Sequence, residues 1–277
     1  MAEIFGMDAY TPGEIAQRIE QTGVAKARLP VRALFMLAVL GGAFIGLGAL
    51  YSVLVRADHG LSIAIRLVMA GLSFSLGLLL VVVAGAELFT GNNLLVMAWA
   101  ERRISGAELL RNWGVVLAGN AAGAGGLALL VYWSGHPDMQ GGAIAAEYLR
   151  VAQAKVALGP LRAFLLGVLC NALVCLAVWM AMAGRSVADK AVAVVFPVSA
   201  FVAAGFEHSV ANLYLLPMAL LLQAPGGALG WSAVMGNLLP VLAGNLVGGA
   251  LLVGLVYRFI YRGPAAAGAQ PAKNVNP

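Results

Sequence analysis

Glu87, Glu207 and His208 are three ionisable side chains set inside long apolar stretches, and they are the residues best placed to do chemistry. Around them stand short polar side chains, in Ala86-Glu87-Leu88-Phe89-Thr90-Gly91-Asn92 and in Phe206-Glu207-His208-Ser209-Val210-Ala211-Asn212. Ionisable groups at membrane depth are costly, and they mark solute or proton pathways far more often than structure. His208 is the only histidine in such a stretch, and imidazole changes charge near physiological pH. An isolated anion in a low-dielectric passage costs far more than its neutral acid, so a histidine that lends or shares a proton suits a weak-acid anion. Glu87 and Glu207 would repel an anion; they are expected to anchor the backbone, accepting bonds from exposed N–H groups. Thr90, Asn92, Ser209 and Asn212 are expected to satisfy further backbone groups there.

These residues require elements able to carry them across a bilayer. Hydrophobic residues make up 61% of the 277 residues and charged ones only 10%, with a mean hydropathy of +0.90. A soluble domain carries about a quarter charged residues, so the chain reads as integral to a membrane. Its 35 glycines suit close helix–helix approach. A crossing needs roughly 20 apolar residues. Charge-free runs of that order lie at 33–55, 67–86, 112–135, 163–184 and 231–257. The stretch 191–223 is interrupted only by Glu207 and His208, and reads as one broken span. By the same logic 67–100 is a span followed by a short second piece, broken near Glu87 to Gly91. Six spans result, the second and fifth broken.

Twelve of the seventeen basic residues then fall on one side, among them Lys26, Arg103, Arg185 and Arg258. Arg56, Arg66, Arg150, Lys155 and Arg162 fall on the other. The bias places both termini in the cytoplasm, and it accounts for the net charge of +5 without a nucleic-acid partner. Residues 1–30 read as a cytoplasmic segment with an amphipathic helix near 10–28 and no cleaved signal peptide. Residues 31–262 are expected to form the six-span membrane unit, and 263–277 read as a disordered tail.

An internal repeat supports this division. Val116-Leu117-Ala118-Gly119-Asn120 recurs as Val241-Leu242-Ala243-Gly244-Asn245, and Asn112 matches Asn237 at the same offset. Glu87 pairs with Glu207 and Asn92 with Asn212; spans 1 and 4 show no similarity. With three spans per half, the halves lie inverted in the membrane, and the solute path falls near their shared axis. The helix pieces resuming after the breaks would turn positive ends toward one another, a polarity suited to a small anion. Lys155 could concentrate anions at the outer mouth or simply snorkel. Leu88, Phe89, Phe74, Leu78 and Phe201 could form apolar constrictions, though spacing alone does not separate a gate from packing. Cys170 and Cys175 read as small buried apolar residues, and His59 and His136 as solvated loop residues. No nucleotide-binding loop, nucleophile elbow or zinc motif occurs, so neither an enzyme nor a metal or cofactor site is expected. A neutral-solute pore of aquaporin type is the rival from another class, but no Asn-Pro-Ala motif marks the half-helix ends.

The stretches AELFTGNN at 86–93, NALVCLAVWMAMAGRSVADKA at 171–191, FVAAGFEHSVANL at 201–213 and NLLPVLAGNLVGGALLVGL at 237–255 resemble the formate/nitrite transporter family of bacterial anion channels. The resemblance runs over most of residues 8–262. It implies a homopentamer in the bacterial inner membrane, each protomer an all-α, six-helix pore of aquaporin-like outline. It implies that Thr90 and His208 form the central selectivity site, and that Leu78, Leu88, Phe89, Phe74, Val174 and Phe201 line two constrictions. Asn171, Lys155, Glu207 and Asn212 fall where the family has polar pore or vestibule residues. AGRSVADKA and FEHSVAN look closer to the formate branch, whereas Gly91-Asn92-Asn93 departs from it. Formate is therefore the expected solute, with protons taking part, and nitrite, hydrosulfide or lactate as alternatives.

Overall fold

The computed structural model describes residues 9–227 and 229–262, and these fold as helices joined by short turns. Helix α1 (Pro12–Ala27) starts at a reciprocal cap, in which Thr11 and Glu14 each bond the other's backbone, and Pro12 occupies the first turn. Helix α2 (Val31–Arg56) crosses next. Helix α3 (Ile63–Leu80) continues through a π turn, Val81–Gly85. The chain then breaks, resumes as a 3-10 turn at Gly91–Leu95, and ends in the short α4 (Val96–Ala100). Helix α5 (Gly106–Trp133) completes the first half. Helix α6 (Ala143–Val156) opens the second, which continues through α7 (Pro160–Ala183), α8 (Val187–Ala203), α9 (Ser209–Leu222) and α10 (Trp231–Leu246). A π stretch at Val247–Leu255 leads into α11 (Val256–Arg262).

Among the described residues, five helices are long and apolar enough to cross a membrane: Val31–Arg56, Ile63–Gly85, Gly106–Trp133, Pro160–Ala183 and Trp231–Tyr261. The sixth crossing is α8 and α9 together, interrupted at 204–208. The two expected breaks are therefore present, in an all-helical membrane fold of two inverted halves. Large apolar side chains such as Met36, Leu110, Leu161 and Phe196 cover the outside, while asparagines and carboxylates are buried. This reverses the usual soluble arrangement.

Observed crossings are longer than the charge-free runs, because basic residues are absorbed into their ends. Arg32 and Arg56 lie within α2, Arg111 within α5 and Arg162 within α7. Long cationic side chains can keep their stems along the helix and their heads elsewhere. Arg111 does so by donating to the carbonyls of Ala27 and Leu29 at 3.0 and 2.8 Å. Helix α1 lies against the bundle, with Ile15, Ala16 and Ile19 buried beside Leu94, Met97 and Trp179. The expected tail at 263–277 and the first eight residues lie outside the described residues.

The pentapeptide repeat has a structural cause. Gly119 lets α5 press on α2, where a Cβ would meet that of Ala38 at 2.5 Å, and Gly244 lets α10 reach the Phe164 carbonyl of α7. The asparagine that follows each glycine then reaches a break.

Candidate functional site

Both breaks open the same way. Gly85 and Gly205 adopt positive φ, 85° and 71°, and the next amide folds back: Ala86 N–H to Val81 O and Phe206 N–H to Phe201 O, each 3.0 Å. This six-to-one bond is a glycine-terminated helix stop. The following glutamate's amide donates to the neighbouring helix, Glu87 to Leu37 O at 3.1 Å and Glu207 to Leu166 O at 3.3 Å. Leu37 and Leu166 belong to spans 1 and 4, where the sequence showed no repeat. The equivalence there is carried by backbone carbonyls.

Asn120 and Asn245 complete the backbone accounting. Asn120 Oδ1 accepts from Phe89 N–H at 2.9 Å, and its Nδ2 donates to Ala38 O at 2.7 Å and Glu87 O at 2.9 Å. Asn245 Oδ1 accepts from Ser209 N–H at 2.9 Å, and its Nδ2 donates to Gly167 O at 2.8 Å and Glu207 O at 3.0 Å. An orphaned buried backbone group costs about 1–3 kcal/mol, so each asparagine holds its break at an appreciable free energy. The expectation that Glu87 and Glu207 would accept from backbone N–H groups, and that Thr90, Asn92, Ser209 and Asn212 would cap the breaks, is corrected. An amide side chain both donates and accepts, as a peptide needs; a carboxylate only accepts.

The glutamates instead anchor two matched polar quartets. Glu87 takes Asn92 Nδ2 at 2.6 Å and Lys26 Nζ at 3.0 Å; Asn92 Nδ2 also donates to Asn112 Oδ1 at 3.0 Å, and Asn112 Nδ2 to Lys26 O at 3.2 Å. Glu207 takes Asn212 Nδ2 at 2.7 Å and Lys155 Nζ at 2.8 Å; Asn212 Nδ2 also donates to Asn237 Oδ1 at 2.8 Å, and Asn237 Nδ2 to Lys155 O at 3.0 Å. Lys26 in α1 is thus the counterpart of Lys155 in α6. In the sequence, Lys26 is legible only as a topology marker, and Asn112, Asn120, Asn237 and Asn245 only as repeat marks. Their constant offsets were the available signal.

Thr90 and His208 meet where the two breaks come together. Thr90 Oγ1 lies 3.0 Å from His208 Nε2, and both residues are buried. His208 also caps α9, its Nδ1 accepting from Ala211 N–H at 3.1 Å. That bond assigns the neutral tautomer, with its proton on Nε2 and directed at the Thr90 oxygen. The Thr90 hydroxyl hydrogen is then left to donate to something else. The amides of Ser209 and Ala211 are already occupied, so the start of α9 offers fewer donors to an anion than a bare helix end would.

Phe201 stacks on the His208 ring with centroids 5.9 Å apart, and Phe74 meets both rings edge-on at 5.8 and 6.4 Å. These three rings form the floor of an open cavity of about 330 Å³ on the α6 side, bordered by Arg56, Arg150, Lys155, Arg162 and Glu207. Leu78, Leu88, Phe89 and Val174 do not line it; they are buried in the apolar core that also contains Phe74 and Phe201. Asn171 lies below the site, its Nδ2 2.7 Å from Asn245 O, 2.8 Å from Asn93 Oδ1 and 3.3 Å from Thr90 O. On the opposite side α1 covers the approach, leaving a cavity of about 30 Å³ bordered by Lys26, Gly91 and Asn92. In the sequence, Arg56, Arg150 and Arg162 register only as charges outside the membrane. Their convergence depends on α6, a helix the hydropathy pattern does not disclose.

Two inverted halves, two interrupted membrane helices and a buried hydroxyl–imidazole pair beneath an electropositive vestibule define a membrane channel or transporter for small solutes. The chain belongs to the formate/nitrite transporter family, whose model, described as formate/nitrite transporter, matches residues 13–259. It is 38% identical over 271 residues to the formate channel FocA of Escherichia coli strain K12, covering 92% of this chain and 95% of that protein. A solved structure described as a pentameric formate channel with formate bound superposes with a TM-score of 0.78 at 36% identity, covering 84% of this chain and 98% of that one. A second, described as an FNT family ion channel, superposes with a TM-score of 0.82 at 29% identity, covering 89% and 98%.

Proposed function

We propose that this protein carries formate across the bacterial inner membrane, as a homopentamer of independent pores with both termini in the cytoplasm. The observation that carries this reading is the buried Thr90–His208 pair at the meeting of the two breaks. An anion entering the α6-side vestibule is drawn by its basic side chains and leaves its water at the Phe74–Phe201 floor. There it accepts a hydrogen bond from Thr90 O–H, and the Nε2–H of His208 can turn from the Thr90 oxygen to the carboxylate. The apolar residues Leu78, Leu88, Phe89 and Val174 form the second constriction beyond the pair, and the Asn171 amide, whose Oδ1 has no partner among the described residues, meets the solute after it.

His208 holds one proton in this arrangement, and a second would displace the Ala211 amide from Nδ1. The ring therefore shares its proton with the solute, and the solute's net neutralisation is completed by a proton arriving with it. The protein binds and orients; no bond other than O–H or N–H is made or broken, and it is not an enzyme.

Gly91-Asn92-Asn93, the departure from the formate-branch pattern, supports no change of substrate. Asn92 is tied to Glu87, and Asn93 donates to Phe89 O at 3.1 Å. Uptake into liposomes containing the purified chain tests the reading against a neutral-solute pore. Formate should enter faster than in empty liposomes while glycerol does not; glycerol entry without formate entry would reverse the assignment.

A further inference from the structure

The vestibule holds more positive charge than its carboxylates balance. Arg56, Arg150, Lys155 and Arg162 all border the one cavity. Lys155 is paired with Glu207 at 2.8 Å, and Arg150 with both oxygens of Glu147 at 2.6 and 2.7 Å. Arg56 and Arg162 make no salt bridge among the described residues, although Glu147, already held by Arg150, also acts on Arg56 electrostatically. Arg56 ends α2 and spends one N–H on Val202 O at 3.2 Å, which fixes its head beside the cavity; Arg162 stands exposed in the first turn of α7. Two guanidinium groups outside any salt bridge at one concave site match the charge and the several acceptor oxygens of a divalent oxyanion.

We propose that Arg56 and Arg162 form a binding site for a small divalent oxyanion, such as sulfate, hydrogen phosphate or a short dicarboxylate, which enters from the α6 side and does not pass. The cavity of about 330 Å³ admits such an ion, whereas its floor is closed by the buried rings of Phe74, Phe201 and His208. Bound there, the ion neutralises the charge that draws a monovalent anion and occupies the vestibule through which it approaches. A divalent anion thus blocks transport from one face. This consequence for flux rests on the transport reading; the binding itself does not.

Sulfate titrated calorimetrically into the purified full-length protein tests the site, with chloride at equal ionic strength as the comparison. Sulfate should bind the native protein, and R56Q/R162Q should weaken that binding about tenfold or more, as expected for two lost charge-assisted contacts. External sulfate should also slow formate uptake by the native protein and leave the variant unaffected. Native binding no tighter for sulfate than for chloride, or equal binding by the variant, would overturn the proposal. Should loss of the Val202 contact impair assembly of the double variant, R162Q alone decides, since its side chain is exposed and unpaired; unchanged sulfate affinity there also overturns it. Arginine-dependent sulfate binding without any formate flux would keep the site and remove the transport reading.

Discussion

Leu88 and His208 occupy equivalent places in the two breaks: each follows the anchoring glutamate and precedes an amide held by the repeat asparagine, Asn120 or Asn245. The scaffold is two-fold, yet only one of the two side chains can hydrogen-bond. Its partner, Thr90, stands two residues after Leu88 in the other break, at the position matched by Val210. This hydrogen-bonded pair therefore arises where the symmetry of the scaffold is broken.

Substitution at His208 should separate its two roles. H208N keeps an N-cap acceptor for Ala211, since asparagine is a strong cap, but is too short to reach Thr90. It should assemble normally and lose pH-dependent formate uptake. H208F should lose both, with about 1 kcal/mol of stability as well. Thermal unfolding and uptake measured side by side distinguish these outcomes.

At Thr90 the hydroxyl alone is at issue. T90S should retain most uptake, whereas the near-isosteric T90V should lower it about a hundredfold or more, because a site built to hydrogen-bond its solute discriminates strongly when that bond is lost. Initial rates in liposomes report the difference.

The quartets should matter to stability more than to selectivity. E207Q and E87Q each leave a partly buried lysine without its counter-charge and turn an amide donor toward Asn212 or Asn92. Loss of a charge-assisted hydrogen bond costs about 1.5–3 kcal/mol. Both variants should unfold at lower temperature. An altered formate-to-nitrite ratio with unchanged unfolding would show that Glu207 acts on the solute instead.

N120A and N245A should destabilise to similar extents, since each asparagine serves one N–H and two carbonyls. Loss of one buried partner costs about 1–3 kcal/mol for every group orphaned. Markedly unequal losses would mean that the breaks are not held equivalently.

Acid should loosen the start of α1. The Thr11 amide and hydroxyl bonded to Glu14 hold its exposed carboxyl below the ordinary value of 4.5. A lowered folded-state pKa gives stability that is present above the unfolded value and lost as pH falls through the folded one. Amide protection, corrected for the intrinsic pH dependence of exchange, should fall at Thr11 and residues 13–15 as pH drops below the ordinary carboxylate range, and E14Q should flatten that response.

The breaks and their carboxylates were legible in the sequence because a charge interrupting an apolar run is a one-dimensional signal. The partnering of Glu207 with Lys155 was not, since 52 residues separate them and α6 must form before they meet. Leu37 and Leu166 left no trace because their contribution is a carbonyl, which every residue type possesses. Asn120 and Asn245 sat in the legible repeat, but their role required knowing that the glycine before each brings one helix hard against another.

We propose a formate pathway whose selectivity lies in the Thr90–His208 pair and whose solute moves with a proton. Uptake of formate and of nitrite into liposomes containing the native chain, each at two pH values, tests it most directly. Formate should enter faster than nitrite, and its rate should rise at the lower pH. Faster nitrite entry, or formate entry indifferent to pH, would contradict the account.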